Sequence, residues 1–364
     1  MASSFATLEP NLVLVFATPD FFVPGGGAEA LIGCFPEADL LGCSTAGEIA
    51  NSGVMEHGVV VTAIRFERTR VIPATADLAN MADSRNAGRR LAKALAAPDL
   101  RTVLVFGQGV AINGSALVEG MIDVLGTNLP ITGGLAGDNG AFVRTFTLGS
   151  TGVSDRAIVA VGLAGDTLHV GHGSFGGWEP FGPARRVTRC DGNILYELDD
   201  EPALEIYKRY LGEYARDLPA SGLLFPFAML GEDLSAVGLI RTILGVDEQQ
   251  GSLTLAGEIQ QGGHLKLMHA STDALVNGAE SAARAVAATA SLPRPVLAIL
   301  VSCVGRKLVM GDRVDEEVEA VVDVLGNDTV RTGFYSYGEI SPFTPALSCK
   351  LHNQTMTITT FAEG

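Results

Sequence analysis

Apolar runs of five to eight residues, each bounded by Gly, Pro or Asp, recur along the chain. They predict strands over Leu12 to Ala17, Val59 to Phe66, Thr102 to Phe106, Ala157 to Leu163, Val296 to Ser302 and Thr355 to Phe361. Between them the apolar spacing changes to three and four. That spacing predicts helices over Asn86 to Ala97, Ser115 to Leu125, Pro202 to Leu211, Asp273 to Ala290 and Asp315 to Leu325. The Ala-rich segment from Asp273 is preceded by the capping candidates Ser271 and Thr272 and stops before Pro293. Strands alternating with helices imply an α/β, or mixed α+β, fold with mixed sheets rather than a helical bundle.

The pattern repeats. LVEGMIDVLGTNLPITG (117–133) and EVEAVVDVLGNDTVRTG (317–333) align without a gap and agree at eight of 17 positions. A second frame, GxxxxGEI with a hydroxyl residue at its fourth position, occurs as GCSTAGEI (42–49) and GFYSYGEI (333–340). GGLAGD (133–138) fits the same place one residue shorter. Each copy runs strand, loop, helix, strand, glycine and carboxylate turn, strand. Three related β-α-β-turn-β units are expected, starting near Leu12, Arg101 and Pro295. LPASGLLFPF (218–227) reads as a linker, which divides the chain into residues 1–218 and 219–364.

Length and charge narrow the function. At 364 residues the chain holds about two domains. Its net charge of −16 repels phosphate backbones and anionic lipid heads, so nucleic acid and membrane surfaces are poor partners. No apolar run reaches the roughly 18 residues of a spanning helix, and the start has no basic, signal-like region. Five cysteines without CxxC or metal spacing favour free thiols in a reducing cytoplasm.

A glycine turn holding one carboxylate at the end of a strand puts backbone N–H groups and an acceptor at a sheet edge, where open α/β sheets bind small molecules. Glu48, Asp138 and Glu339 are the candidate acceptors. Ser44, Thr45 and Ser336 offer hydroxyls, and Gly47 supplies the bend. Each glycine could equally serve only the turn, with its carboxylate capping a local N–H. Beside the third turn, Cys303 and Arg306 are expected at the same edge as Tyr335 and Tyr337. Arg306 could grip an anion or simply pair with Asp312 or Glu339. The loop around GGWEPFGP displays Trp178, either as a plug between domains or as an aromatic wall. Catalysis through Cys303 or Cys43 would need a neighbouring base, and no histidine flanks Cys303.

GCSTAGEI, GGLAGDN, GWEPFGPARRVT with GNILYELDDEPALEIY, and SCVGRKLVMGDR with GFYSYGEISPF together resemble the FIST family of intracellular signal-transduction proteins, over nearly the whole chain. The resemblance implies a cytoplasmic sensory module that binds a small-molecule ligand, with amino acids proposed for many members. Some stand-alone members similar to this chain are haem proteins that sense nitric oxide and control a histidine kinase. No kinase, cyclase or receptor motif follows Phe361, so a signalling protein such as a histidine kinase is the expected partner. A sensor haem needs one neutral imidazole beside an apolar pocket. His172 is the first candidate ligand and His352 the second. With no CxxCH motif, haem b would be held non-covalently.

Overall fold

LVLVFA is apolar at every position, as suits a strand covered on both faces. It forms β1 (Leu12–Ala17), buried throughout. In the computed structural model, which describes residues 8–231, 233–234, 236–288, 296–342 and 348–364, β1 opens the first of three units built to one plan. Helix α1 (Ala28–Cys34) crosses over to β2 (Asp39–Ser44), parallel to β1. The hairpin β3 (Glu48–Ala50) and β4 (Gly53–Met55) follows, and β5 (Val59–Ile64) then runs antiparallel along the other side of β1. Strand β6 (Arg70–Asp77) and helix α2 (Ser84–Leu95) lead into the second unit. It comprises β7 (Leu100–Gly107), α3 (Gly114–Leu125), β8 (Ile131–Leu135), the hairpin β9 (Thr147–Gly149) and β10 (Gly152–Ser154), and β11 (Ala157–Ala164).

After β12 (Leu168–Phe175) an antiparallel sheet is inserted. Its strands are β13 (Glu179–Asp191), β14 (Ile194–Leu198) and β15 (Glu201–Pro202), then, beyond helix α4 (Ala203–Leu211), β16 (Phe227–Leu230), β17 (Ala236–Arg241), β18 (Ile243–Asp247), β19 (Ser252–Leu255) and β20 (His264–His269). Helix α5 (Thr272–Ala288) returns to the third unit: β21 (Leu297–Cys303), α6 (Val304–Met310), α7 (Asp315–Leu325), β22 (Val330–Ser336), the hairpin β23 (Gly338–Pro342) and β24 (Cys349–His352), and β25 (Met356–Glu363). The expected helix end at Ala290, the stop at Pro293, the unit start at Pro295 and Phe343 of the third turn motif lie outside the described residues.

The units exchange strands in a ring. The hairpin of the first pairs with β22 of the third, that of the second with β2 of the first, and that of the third with β8 of the second. Strands β6 and β12 pass the other way, onto β11 and β25. The registers coincide: Glu48 lies opposite Phe334, Thr147 opposite Cys43, and Glu339 opposite Gly134. One position earlier in each second strand comes the same residue type. A Cβ on Gly42, Gly133 or Gly333 would land on the carbonyl of Val15, Val105 or Leu300, so each second strand can lie over its parallel neighbour only with hydrogen there. Phe16, Phe106 and Phe334 meet in the centre, with ring centroids 4.8 to 5.5 Å apart.

Two expectations change. The inserted sheet has its own core, in which Val187, Leu195 and Tyr207 pack with Phe227, Leu253 and Leu265. β13, before residue 218, pairs with β20, after it. The division at 218/219 therefore falls inside one sheet, and the third unit shares its sheets with the first two. Asp138 is not the third copy of the turn carboxylate. Eight residues separate it from Thr147, which holds the register of Glu48 and Glu339.

Candidate functional site

The turn carboxylates are internal joints. Thr45 Oγ1 donates to Glu48, whose other oxygen accepts from the Gly58 N–H at 2.9 Å. Ser336 Oγ donates to Glu339 at 2.7 Å, and Thr355 donates to the second oxygen through both N–H and hydroxyl. Both carboxyls have no solvent exposure. The GxxxxGEI frame thus encodes a hydroxyl–carboxyl pair three residues apart at two of the three exchanges. At the third, Thr147 Oγ1 donates to the Ala157 carbonyl instead, at 3.0 Å. Burial raises the pKa of both acids. Glu339 is pushed up to about 8, with its hydrogen bonds and Arg306 pulling against that rise.

The other turn residues serve the same joints. Ser44 Oγ donates to the Gly137 carbonyl at 2.7 Å and accepts from the Phe146 N–H at 2.9 Å. Gly47 takes a φ of 132°, and a Cβ there would press on Lys307 and Tyr335. Asp138 accepts from the backbone N–H groups of Phe142, Val143 and Arg144 at 2.7 to 2.8 Å and from the Tyr337 hydroxyl, which folds its own loop. Tyr337 stacks on Phe142 with centroids 4.1 Å apart.

Arg306 corrects the sequence expectation. It sits on the short helix α6, fully buried, and pairs with Glu317 of α7 rather than with Asp312 or Glu339. Its Nε and Nη2 donate to Glu317 at 3.1 and 2.7 Å, Nη2 also reaches the Leu275 carbonyl at 2.8 Å, and Nη1 donates to Gly176. Ser302 and Tyr335 donate to the other oxygen of Glu317, at 2.9 and 2.6 Å. Losing one partner of such a pair strands a buried charge, at a cost of about 3–5 kcal/mol. Glu317 was missed in the sequence, although it left a signal. It stands where the aligned repeat has Leu117, so an acid occupies a core-facing helical position. Next to this pair Trp178 donates its indole N–H to the Gln354 carbonyl at 2.8 Å, tying the loop before the inserted sheet to the third unit.

The thiols and imidazoles are placed less favourably for chemistry. Cys43 and Cys303 are buried, and desolvation pushes both thiols upward, away from the reactive thiolate. His352 is 2% exposed with Nε2 3.1 Å from the Ser341 carbonyl, and burial lowers its pKa to about 4. That ring is closed in by strands and does not fit an iron ligand. His172 is half-buried, and its Nδ1 has no hydrogen-bond partner among the described residues. It does not line any of the three cavities described below, and neither does His352. His269 does. It borders a space of about 530 Å³ walled by Phe181, Tyr214, Phe225 and Leu308. Among the described residues, no three His, Cys, Asp or Glu side chains are grouped to hold a metal ion.

The largest of the three cavities, about 730 Å³, lies beside Phe22, Phe146 and the β9–β10 hairpin. Of its two cations, Arg144 pairs with Asp155 at 2.7 Å, and Arg156, largely exposed, lies 4.0 Å from the same acid. A third cavity, of about 410 Å³, opens where the inserted sheet meets the units. Ser115 and Val118 of α3, Met229, Leu239 and Arg241 of the sheet, and Cys349 to Leu351 of β24 line it. Glu258 closes one side, held by the Asn113 side chain at 2.9 Å. Arg241 is 5% exposed, and its donors reach only carbonyls: Glu258 at 3.1 Å, Ile240 at 3.2 Å and Leu351 at 3.4 Å. No carboxylate is in contact with it, and burial lowers its pKa to about 10 against the opposing pull of the nearby Glu258 carboxylate. This third cavity is therefore the one with unmet polar demand.

Strand-exchanged units, an inserted sheet and a polar cavity at their junction define a mixed α/β module. The chain belongs to the FIST family: the FIST N domain matches residues 11–201 and the FIST C domain residues 203–342. Its domains are signal-transduction sensor domains that bind small ligands. The uncharacterized protein MJ1623 of Methanocaldococcus jannaschii is 37% identical over 102 residues, which are 26% of this chain and 19% of that protein. Among solved structures, cyanuric acid hydrolase of A. caulinodans superposes with a TM-score of 0.35 and 11% identity, covering 100% of this chain and 93% of that one. A likeness that low carries no argument about activity. No helix among the described residues is long and apolar enough to cross a membrane.

Proposed function

We propose that this protein is a non-catalytic sensor whose small-molecule ligand occupies the cavity between α3, β24 and the inserted sheet, and whose occupancy is read by a separate signalling protein. The observation that carries this reading is Arg241, a buried cation without a carboxylate partner, on the wall of a space formed by two separately cored parts of the chain. A ligand there would touch both parts, so its binding energy shifts their relative arrangement. The turn carboxylates form rigid joints behind that junction. The buried, desolvated thiols of Cys43 and Cys303 favour a sensor over a cysteine-nucleophile enzyme.

A thermal-shift screen of amino acids, organic acids, nucleosides and haem tests the reading, with Val118→Trp as the blocked cavity. The expected result is a ligand that raises Tm in the wild type and not in the variant. Equal shifts in both proteins would reject this cavity.

A haem and nitric-oxide branch, with a histidine kinase as partner, is a second reading and uses the separate space beside His269. The apolar, aromatic surroundings of His269 support that histidine over His172 and His352. Bound haem would supply the gas-binding iron, and His269 would offer its imidazole from the wall. Titration with haemin should give a Soret band that is lost in His269→Ala and kept in His172→Ala. A band unchanged in His269→Ala removes the assignment. Loss or gain of kinase autophosphorylation on adding the protein tests the partner.

A further inference from the structure

We infer that the junction cavity is built for a small organic monocarboxylate, with its head on Arg241 and Ser115 and its apolar body against Val118, Met229 and Leu239. This rests on the reading of that cavity as the ligand site.

A guanidinium has five N–H groups. In Arg241 the Nε proton goes to the Glu258 carbonyl and the Nη1 protons to Ile240 and Leu351. Both Nη2 protons remain without a hydrogen-bond partner among the described residues. Ser115 Oγ, on the facing helix and lining the same space, is likewise buried with no hydrogen-bond partner. Buried donors without acceptors are rare in folded proteins because each forfeits its hydration. Ser115 Oγ and the Arg241 Nη2 group line one cavity, where a single acceptor could serve both, and a charged acceptor suits a cation with no carboxylate in contact.

The remaining lining sets the charge and shape. Lys350 adds a second cation, while Glu258 and Glu119 also border the space. Those two acids, on a chain of net charge −16, disfavour a doubly charged phosphate and suit a single negative charge. Apart from Gln260, the rest of the wall is apolar, made by Val118, Met229, Leu239, Ile259, Leu351 and Cys349. A volume of about 410 Å³ lies at the small end of ligand cavities, which commonly span roughly 300–1,000 Å³. Neither observation exists at the larger cavity, where Arg144 is paired and exposed.

The test uses the full-length protein and acetate, butyrate, hexanoate and benzoate, each beside its neutral amide, followed by calorimetry and thermal shift. Carboxylates should bind and raise Tm, the amides should not, and affinity should grow from acetate to hexanoate. Arg241→Met should weaken butyrate at least 30-fold while folding normally, because replacing an unpaired buried cation with an apolar chain removes a desolvation penalty. Ser115→Ala should weaken it several-fold, which keeps the test open should Arg241→Met misfold. Equal binding of amides and acids, or unchanged affinity in both variants, overturns the carboxylate assignment. A neutral ligand that binds the wild type and not Val118→Trp would leave the cavity as ligand site and remove only the carboxylate. Failure of every compound class in the wild type would remove both.

Discussion

Glu339 shows how far burial can carry one side chain from its ordinary chemistry. With its pKa raised from 4.5 to about 8, unfolding releases a proton between those values. Stability therefore falls as pH rises from about 4.5 to about 8, by at most about 1.4 kcal/mol per pH unit, and is flat above that. Glu339→Gln keeps an acceptor for Thr355 and offers an amide N–H to Ser336, whose hydroxyl turns from donor to acceptor, without the titration. The difference in urea-unfolding free energy between variant and wild type should move in favour of the variant by a few kcal/mol from pH 5 to pH 8. A constant difference across that range would mean that Glu339 is ionised in the fold throughout. The type and position of this acid were legible in the sequence. Its role was not, because GxxxxGEI at a sheet-edge site and GxxxxGEI at a buried joint are the same letters. Only the strand lying over the turn decides whether water reaches the carboxyl.

At the scale of elements, the strongest runs were readable. β1 and α7 are found at their expected bounds, and β5, β7, β11, β21 and β25 within two residues of theirs. These segments are apolar enough, or periodic enough, for local pattern to decide. The three-residue strands β3, β4, β9 and β10, and α6 with its buried arginine, escaped because so short a segment carries no period of its own; partners hold it in place. The glycine inside each second strand can be tested directly. Gly133 has a φ of 134° and no room for a Cβ beside the Val105 carbonyl. Gly133→Ala should lose about 3 kcal/mol or fail to fold, at the upper end of overpacking costs. Gly33→Ala, in α1 with open space around it, should cost nothing and gain up to about 1 kcal/mol from helix propensity. Similar chemical-denaturation midpoints for the two variants would contradict the close approach.

The whole molecule is held by exchange. Each unit lends its hairpin to a neighbour, so none completes its own sheet, and the three Phe rings at the centre come from three different units. A fragment comprising residues 1–218 would lack β21 to β25, which cover β12, β3 and β8 and complete the central core. It should be aggregated or molten, with far-UV but no near-UV dichroism. A monomeric fragment with sharp amide spectra would show that the first two units stand alone. The inserted sheet carries its own buried cluster, and its seam with the ring is where the polar cavity forms.

Local pattern alone settled the mixed α/β class, the threefold repeat of one plan and the places where acids and hydroxyls recur, since apolar period and glycine position are written residue by residue. Tertiary structure alone decided which strand of one unit meets which of another, that Arg306 faces Glu317, and that Arg241 lacks an acid of its own. Those facts depend on groups brought together from 11 to more than 200 residues apart. Over such separations no local spacing reports the distance, and burial, which sets the charge and reactivity of each group, exists only once the chain has closed on itself.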